Sequence, residues 1–408
     1  MRPSWLLGAL LVTSLAASAC KGDKQDTGKQ DTAKPGGGGG VRVGVVTSLT
    51  GSQAAFGQAH KNGYAIARDE INAKGGVLGK PLEIVFYDDQ SKSAQAGQGV
   101  AKLVDQDHVP LILGSFSSDT TRAMLPPVMQ KQVPLIMPTA TADNVMATGS
   151  PWIFRLCAGA TDYARSTIGF LKDNGAPKTL ALVYESTNFG QANAEAMKKV
   201  ATEAGMTVVD DEPYQPTSPD YKALLQRVKA TNPEVVYYAS YLLDAVTLMR
   251  QAQELDFNPK FITSAGTGFS VAEFPTADKG AGKYAEYTYS VAQWTPTAKW
   301  AGSKEFDEAF FKLTKTHPAY HATEAYVALL VAADAINRAK SAEPKAIADA
   351  IRATKLDTAF GPIQFDAKGQ NAHPVLITQV QSGQYKLIWP SDSAESKPLP
   401  MPPWSERH

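Results

Sequence analysis

An excess of charge of either sign is the first thing this sequence lacks. Forty basic residues face forty acidic ones among 408, a formal net charge of zero, which removes the electrostatic footprint that a nucleic-acid partner requires. A neutral or locally compensated ligand fits better. No stretch after the first twenty residues approaches eighteen unbroken apolar positions, so the mature chain is expected to be soluble apart from whatever its first residue carries. Catalytic signatures are missing too. There is no Gly-x-Ser-x-Gly elbow and no His-Glu-x-x-His zinc motif, which weighs against an enzyme.

Near-motifs fail on mechanical grounds. In Gly75-Gly76-Val77-Leu78-Gly79-Lys80-Pro81 the glycines are too close for a phosphate loop, and Pro81 stands where Ser or Thr is needed, so the segment reads as a turn. The glycine run at 36–40 precedes its strand and cannot form the strand-to-helix turn of a dinucleotide site. His317 and His321 are four apart, but Pro318 sets a helix start between them and no third ligand is near; they read as a solvated helix end. No metal and no cofactor is expected.

What is present begins with a targeting segment. Arg2 supplies a positive start, Trp5 to Leu15 a short apolar core, and Ala17-Ser18-Ala19-Cys20 a cleavage region. Cys20 stands where a lipoprotein signal carries its lipidated cysteine, although ordinary cleavage after Ala19 also satisfies the small-x-small rule. With Cys20 acylated, Cys157 has no partner and reads as a small buried apolar residue. Residues 21–40 are polar and repetitive, with Lys24-Gln25-Asp26-Thr27 recurring as Lys29-Gln30-Asp31-Thr32. They read as a flexible linker reaching roughly 25 Å. The proline-rich tail at 391–408 shows little periodicity and is expected to be extended and poorly ordered.

Hydrophobic content of 43% over this length supports more than one core, so two lobes are expected. Apolar runs at Val41–Val46, Leu82–Tyr87, Leu111–Leu113 and Val133–Met137 read as buried strands, and Tyr64, Ala67 and Ile71 mark a helix stopped by Gly75-Gly76. The alternation restarts with strands at Leu180–Tyr184, Met206–Val209, Val235–Ala239 and Phe261–Thr263, separated by helices near 160–173, 190–204, 221–231 and 242–255. Such alternation predicts two parallel sheets covered on both faces, with pocket residues just after strand ends.

Several segments carry a resemblance. Val43-Gly44-Val45-Val46-Thr47-Ser48-Leu49-Thr50-Gly51, Ile71-Asn72-Ala73-Lys74-Gly75-Gly76, Tyr87-Asp88-Asp89-Gln90-Ser91, Gly114-Ser115-Phe116-Ser117-Ser118, Pro138-Thr139-Ala140-Thr141-Ala142 and Phe360-Gly361-Pro362-Ile363-Gln364-Phe365-Asp366 follow one another in the order and spacing of the leucine/isoleucine/valine-binding protein family. The resemblance spans about 41–390. It implies an α/β type I periplasmic-binding fold of two doubly wound lobes, 41–157 with 290–362 and 160–286 with 366–390, joined by three crossovers near 155–162, 286–292 and 361–366. Lobe closure on a ligand is the working motion that goes with it.

The resemblance also implies ligand contacts. Ser117 and Ser118 open a helix and would hold a carboxylate, Ser118 alternatively serving only as a helix cap. Thr139 and Thr141 would bind the same carboxylate and part of the ligand's amino group, or serve turn chemistry. Phe56, Phe189 and Tyr241 fall where the family places aromatic walls, with core packing as the alternative, and His321 or Tyr320 would add a further wall. Ala265 stands where amino-acid-binding members carry the Glu or Asp that pairs with the ligand ammonium, a departure that argues for a solute without a free α-ammonium, the alternatives being that Glu185 or Asp244 reaches into the cleft to restore the charge or that the loop is shifted by one or two residues. The family implies a monomeric extracytoplasmic receptor that delivers a small polar solute, whether amino acid, amide or small carboxylate, to the permease subunits of an ABC importer, held to the membrane through Cys20. The same fold would equally suit a ligand sensor docking a signalling partner.

Overall fold

The structure, a computed structural model, describes residues 39–407; the expected targeting segment with Cys20 and nearly all of the expected linker lie outside the described residues. The first lobe opens with β1 (Val41–Thr47), α1 (Ala54–Ala73), β2 (Leu82–Asp88), α2 (Ser93–Asp105), β3 (Ile112–Gly114), α3 (Ser118–Lys131), β4 (Leu135–Met137) and β5 (Ile153–Arg155). These strands form one parallel sheet in the order β2-β1-β3-β4-β5. β1 is apolar throughout because both its faces are covered: Val43 and Val45 look toward α1, Val46 toward α2 and α3. α1 stops where Gly75 and Gly76 take left-handed φ of +100° and +76°. A Cβ on Gly76 would lie 1.9 Å from the Lys80 carbonyl oxygen, so only glycine closes this turn.

The chain then enters the second lobe with α4 (Ala160–Asp173), β6 (Thr179–Glu185), α5 (Asn188–Glu203), β7 (Thr207–Tyr214), α6 (Lys222–Ala230), β8 (Val235–Ala239), α7 (Leu242–Glu254) and β9 (Phe261–Ser264). Its parallel sheet has the order β7-β6-β8-β9. β10 (Tyr289–Ala292) lies beside β9, where the Ser264 hydroxyl donates to the Ser290 hydroxyl at 3.0 Å. From there the chain returns to the first lobe as α8 (Ser303–Thr314), α9 (Tyr320–Ala339), α10 (Pro344–Arg352), β11 (Lys355–Thr358) and β12 (Gly361–Gln364), α9 packing along α1. β13 (Leu376–Gln381) and β14 (Gln384–Trp389) complete an antiparallel sheet with β10. Two α/β sheets with three chain passages between them make the type I periplasmic-binding architecture.

The passages are cross-tied by buried polar side chains. Arg155 donates to the carbonyls of Thr141 and Ala142 at 3.0 and 3.2 Å and to Gln370, while Asn371 donates to the Leu156 carbonyl at 3.0 Å; the first passage is thus fastened to the third. On the second, Gln293 accepts from the Ala158 N–H at 2.6 Å and donates to Tyr163 and Glu324 at 2.7 and 2.8 Å. Cys157 is buried in the same region, and burial pushes its thiol up, so it stays protonated and inert.

The tail differs from expectation. It carries one 3-10 turn at Trp404–Glu406, and Trp404 is only 7% exposed, packs among second-lobe core residues and donates its indole N–H to the Phe257 carbonyl at 3.1 Å. Arg407 lies over the Trp404 ring at 3.6 Å. Gln379 grips the Leu399 backbone in both directions, at 2.8 and 2.9 Å. Single anchors hold this strap, and a search for hydrophobic periodicity cannot register them.

Candidate functional site

The site is built where β3 and β4 end. Ser117 caps α3, its hydroxyl accepting from the Thr120 N–H at 3.2 Å. That leaves Ser118 free of capping duty. Its hydroxyl accepts from the Ala142 N–H at 3.2 Å and keeps its own proton to offer. The first turn of α3 adds backbone N–H groups without intrahelical partners and the positive end of the helix dipole. Thr141 accepts from the Asn193 side chain of the second lobe at 3.3 Å and likewise keeps a proton to donate. Thr139 does not, because its hydroxyl donates to the Phe116 carbonyl at 2.8 Å.

Aromatic rings face these donors. In the first lobe Phe56 of α1 stacks on Phe116 with centroids 4.2 Å apart. In the second, Phe189 at the start of α5 stacks on Tyr241, the N-terminal neighbour of α7, at 5.0 Å. Tyr241 meets Phe56 and Phe116 across the cleft at 5.9 and 5.8 Å. His321 closes the floor 5.2 Å from Phe56, and Tyr320 stacks on it at 4.0 Å. The rings nearly fill the cleft, leaving about 10 Å³ among them, room for about one water. A solute larger than that must part the two ring pairs.

No charge sits on the aromatic floor. Burial holds His60 down to about 3 and His321 well below the ordinary imidazole range, so both rings are neutral at physiological pH. His60 is fixed by a 3.1 Å hydrogen bond with the Thr47 hydroxyl.

Ser117, Ser118, Thr139, Thr141, Phe189 and Tyr241 line this cavity, and Phe56 packs directly behind its Phe116 wall. Ala265 does not join them. Its N–H donates to the Tyr238 carbonyl at 2.8 Å, and its side chain is buried in the second-lobe core. The cleft is reached two residues later by Thr267, whose N–H donates to the Tyr320 hydroxyl at 3.2 Å. Gly266 turns the chain with φ +72°, and a Cβ on Gly268 would lie 2.5 Å from the Tyr241 carbonyl carbon. Counting from the strand end misses this tight turn. Phe116 and Thr267 were not singled out from sequence, although Phe116 adjoins the predicted Ser117-Ser118 pair and Thr267 follows the Ala265 segment.

A model of the periplasmic binding protein family matches residues 40–384. The chain belongs to this family, in its leucine/isoleucine/valine-binding branch. It is 30% identical to the Leu/Ile/Val-binding protein BraC3 of Rhizobium johnstonii over 81% of this chain and 88% of that one. Against Leu/Ile/Val-binding protein homolog 7 of Brucella suis biovar 1 it is 29% identical, over 88% of this chain and 93% of the relative. The solved structure of the leucine-binding protein LivK from Thermotoga maritima superposes with a TM-score of 0.80 at 26% identity, covering 86% of this chain and 99% of LivK. Family membership implies an extracytoplasmic location for this periplasmic binding protein. No helix among the described residues is long and apolar enough to cross a membrane.

Proposed function

We propose that this protein is the substrate-binding lipoprotein of an ABC importer, capturing a small carboxylate-bearing solute between its lobes and handing it unchanged to permease subunits. The observation that carries the reading is the convergence of the Ser118 and Thr141 hydroxyls on the positive start of α3, facing ring pairs from both lobes. These donors suit a carboxylate, and the rings suit an apolar body. Such a body accords with the names of its relatives, which are binding proteins for leucine, isoleucine and valine. The loop after β9 presents Ala265, Gly266, Thr267 and Gly268, none of which can neutralise an α-ammonium, so an unmodified branched-chain amino acid is the poorer fit.

Cys20 is the lipid anchor in this reading, and a monomer suffices for capture. A thermal-shift screen over small carboxylates, amino acids, amides and polyols tests the solute class. A true ligand at a hundredfold excess over its Kd stabilises by about 2.7 kcal/mol. Carboxylates should raise the melting temperature. Stabilisation by polyols but not by carboxylates would refute the reading.

A further inference from the structure

A second cavity, of about 250 Å³, adjoins the aromatic one, and Ser117 and Tyr241 line both. Three carboxylates from three elements line it: Asp119 in the first turn of α3, Glu185 at the end of β6 and Asp244 in the first turn of α7. No Lys, Arg or His lines it among the described residues. Two of the acids are committed elsewhere. Asp119 accepts from the Asn188 N–H at 3.0 Å, and Asp244 from the Thr217 N–H and the Tyr221 hydroxyl, both at 2.8 Å.

Glu185 is different. It is fully buried, and one oxygen accepts from the Thr187 hydroxyl at 2.7 Å while the other has no partner. A buried carboxylate oxygen left unpaired is costly, and hydrogen bonds to charged groups are the stronger ones. Burial pushes the carboxyl up to about 8; the Thr187 hydroxyl and, less, the nearby Tyr241 backbone N–H oppose the rise, while Asp244 and Asp119 add to it. Such a group keeps its proton until a cation arrives. The described residues place no three ligating groups where they could hold a metal ion, so an organic cation suits the cavity better.

We propose that this cavity receives an ammonium group of the solute, with Glu185 as its hydrogen-bonding partner and Asp119 and Asp244 adding to the negative field. The inference rests on the carboxylate reading of the aromatic cavity. Because the two cavities share only the wall of Ser117 and Tyr241, the amino group is set apart from the carboxylate along the solute. An α-ammonium, one carbon from its carboxylate, stays in the aromatic cavity beside Thr267.

Calorimetric titration of pentanoate, 2-aminopentanoate and 5-aminopentanoate tests this on the wild type and on Glu185→Gln, Asp244→Asn and Ser118→Ala, each first checked for a cooperative melt. The wild type should bind 5-aminopentanoate about tenfold or more tighter than either other probe, in line with one charge-assisted hydrogen bond. Glu185→Gln should abolish that preference, and Asp244→Asn should reduce it. Ser118→Ala should weaken all three probes. If the wild type binds 5-aminopentanoate no better than pentanoate, or if both acidic-site variants keep the preference, the ammonium subsite is overturned. The carboxylate reading still stands in that case provided Ser118→Ala weakens pentanoate, and fails if Ser118→Ala leaves all affinities unchanged.

Discussion

The backbone N–H of Asn188, at the start of α5 in the second lobe, donates to the carboxylate of Asp119 on α3 of the first lobe at 3.0 Å. The Asn188 and Asn144 side chains exchange hydrogen bonds beside it at 2.6 and 3.1 Å, and Asn193 reaches Thr141. All of these join the lobes. On opening, each group meets water instead, so each contact contributes only about 1 kcal/mol net. Fastenings this weak are compatible with the proposed capture and release of a solute between the lobes.

Asn188→Pro isolates this latch. The position opens the helix, where proline is tolerated, and Thr187 before it is already extended with ψ of 169°. The substitution removes both the N–H and the amide. Small-angle scattering should show a larger radius of gyration than wild type without ligand, and ligand affinity should fall by about fivefold. An unchanged radius and affinity would show that the latch does not hold the lobes.

The pH profile of stability should fall on both sides. Glu185 has a pKa near 8 when folded against an ordinary 4.5, so its contribution is complete below about 4.5 and is lost as pH rises through 8. His60 has the opposite sign: held down to about 3 against 6.5, it contributes fully above 6.5 and loses that contribution as pH falls toward 3. His373, held to about 4 by burial, behaves as His60 does. The melting temperature should therefore peak near about pH 6, and Glu185→Gln should flatten the alkaline side. Superimposable profiles for the two proteins would contradict the assignment.

The C-terminal strap should be structural. Trp404→Ala removes a buried ring and the partner of Arg407, at a cost of about 3 kcal/mol or more. Thermal unfolding should register this loss while solute affinity, set in a distant cleft, stays within about twofold of wild type. A melting temperature equal to wild type would mean that the strap is not docked.

Changing Cys20→Ala should move the exported protein from the membrane to the soluble fraction. A wild-type protein that is already soluble after export would remove the anchor from the account.

Most of the sheet framework was legible because buried parallel strands are nearly continuous apolar runs. Val235–Ala239 and the helix Ala160–Asp173 can be read directly from sequence. β7 was harder. It extends through Asp210, Asp211 and Glu212 to Tyr214, since an edge strand tolerates polar residues that end an apolar run. In the site, hydroxyls and rings following strand ends were visible as a pattern. The left-handed Gly266 was not, and it moved the β9 contact from Ala265 to Thr267. For the Glu185 cavity, sequence offers Glu185 and Asp244 as side chains able to reach the cleft, but not that Asp119 of α3, from the other lobe, lines the same space.

The proposed function turns on where the solute's carboxylate binds. The most direct measurement is calorimetric titration of the strongest hit from the thermal-shift screen into wild type, Ser118→Ala and Thr141→Val. Each variant removes one hydroxyl donor, Ser118 at the start of α3 or Thr141 after β4, so each should bind about tenfold or more weakly, and the primary amide of the same acid should lose less between wild type and variant than the acid does. Undiminished affinity of both variants for the acid would contradict the account.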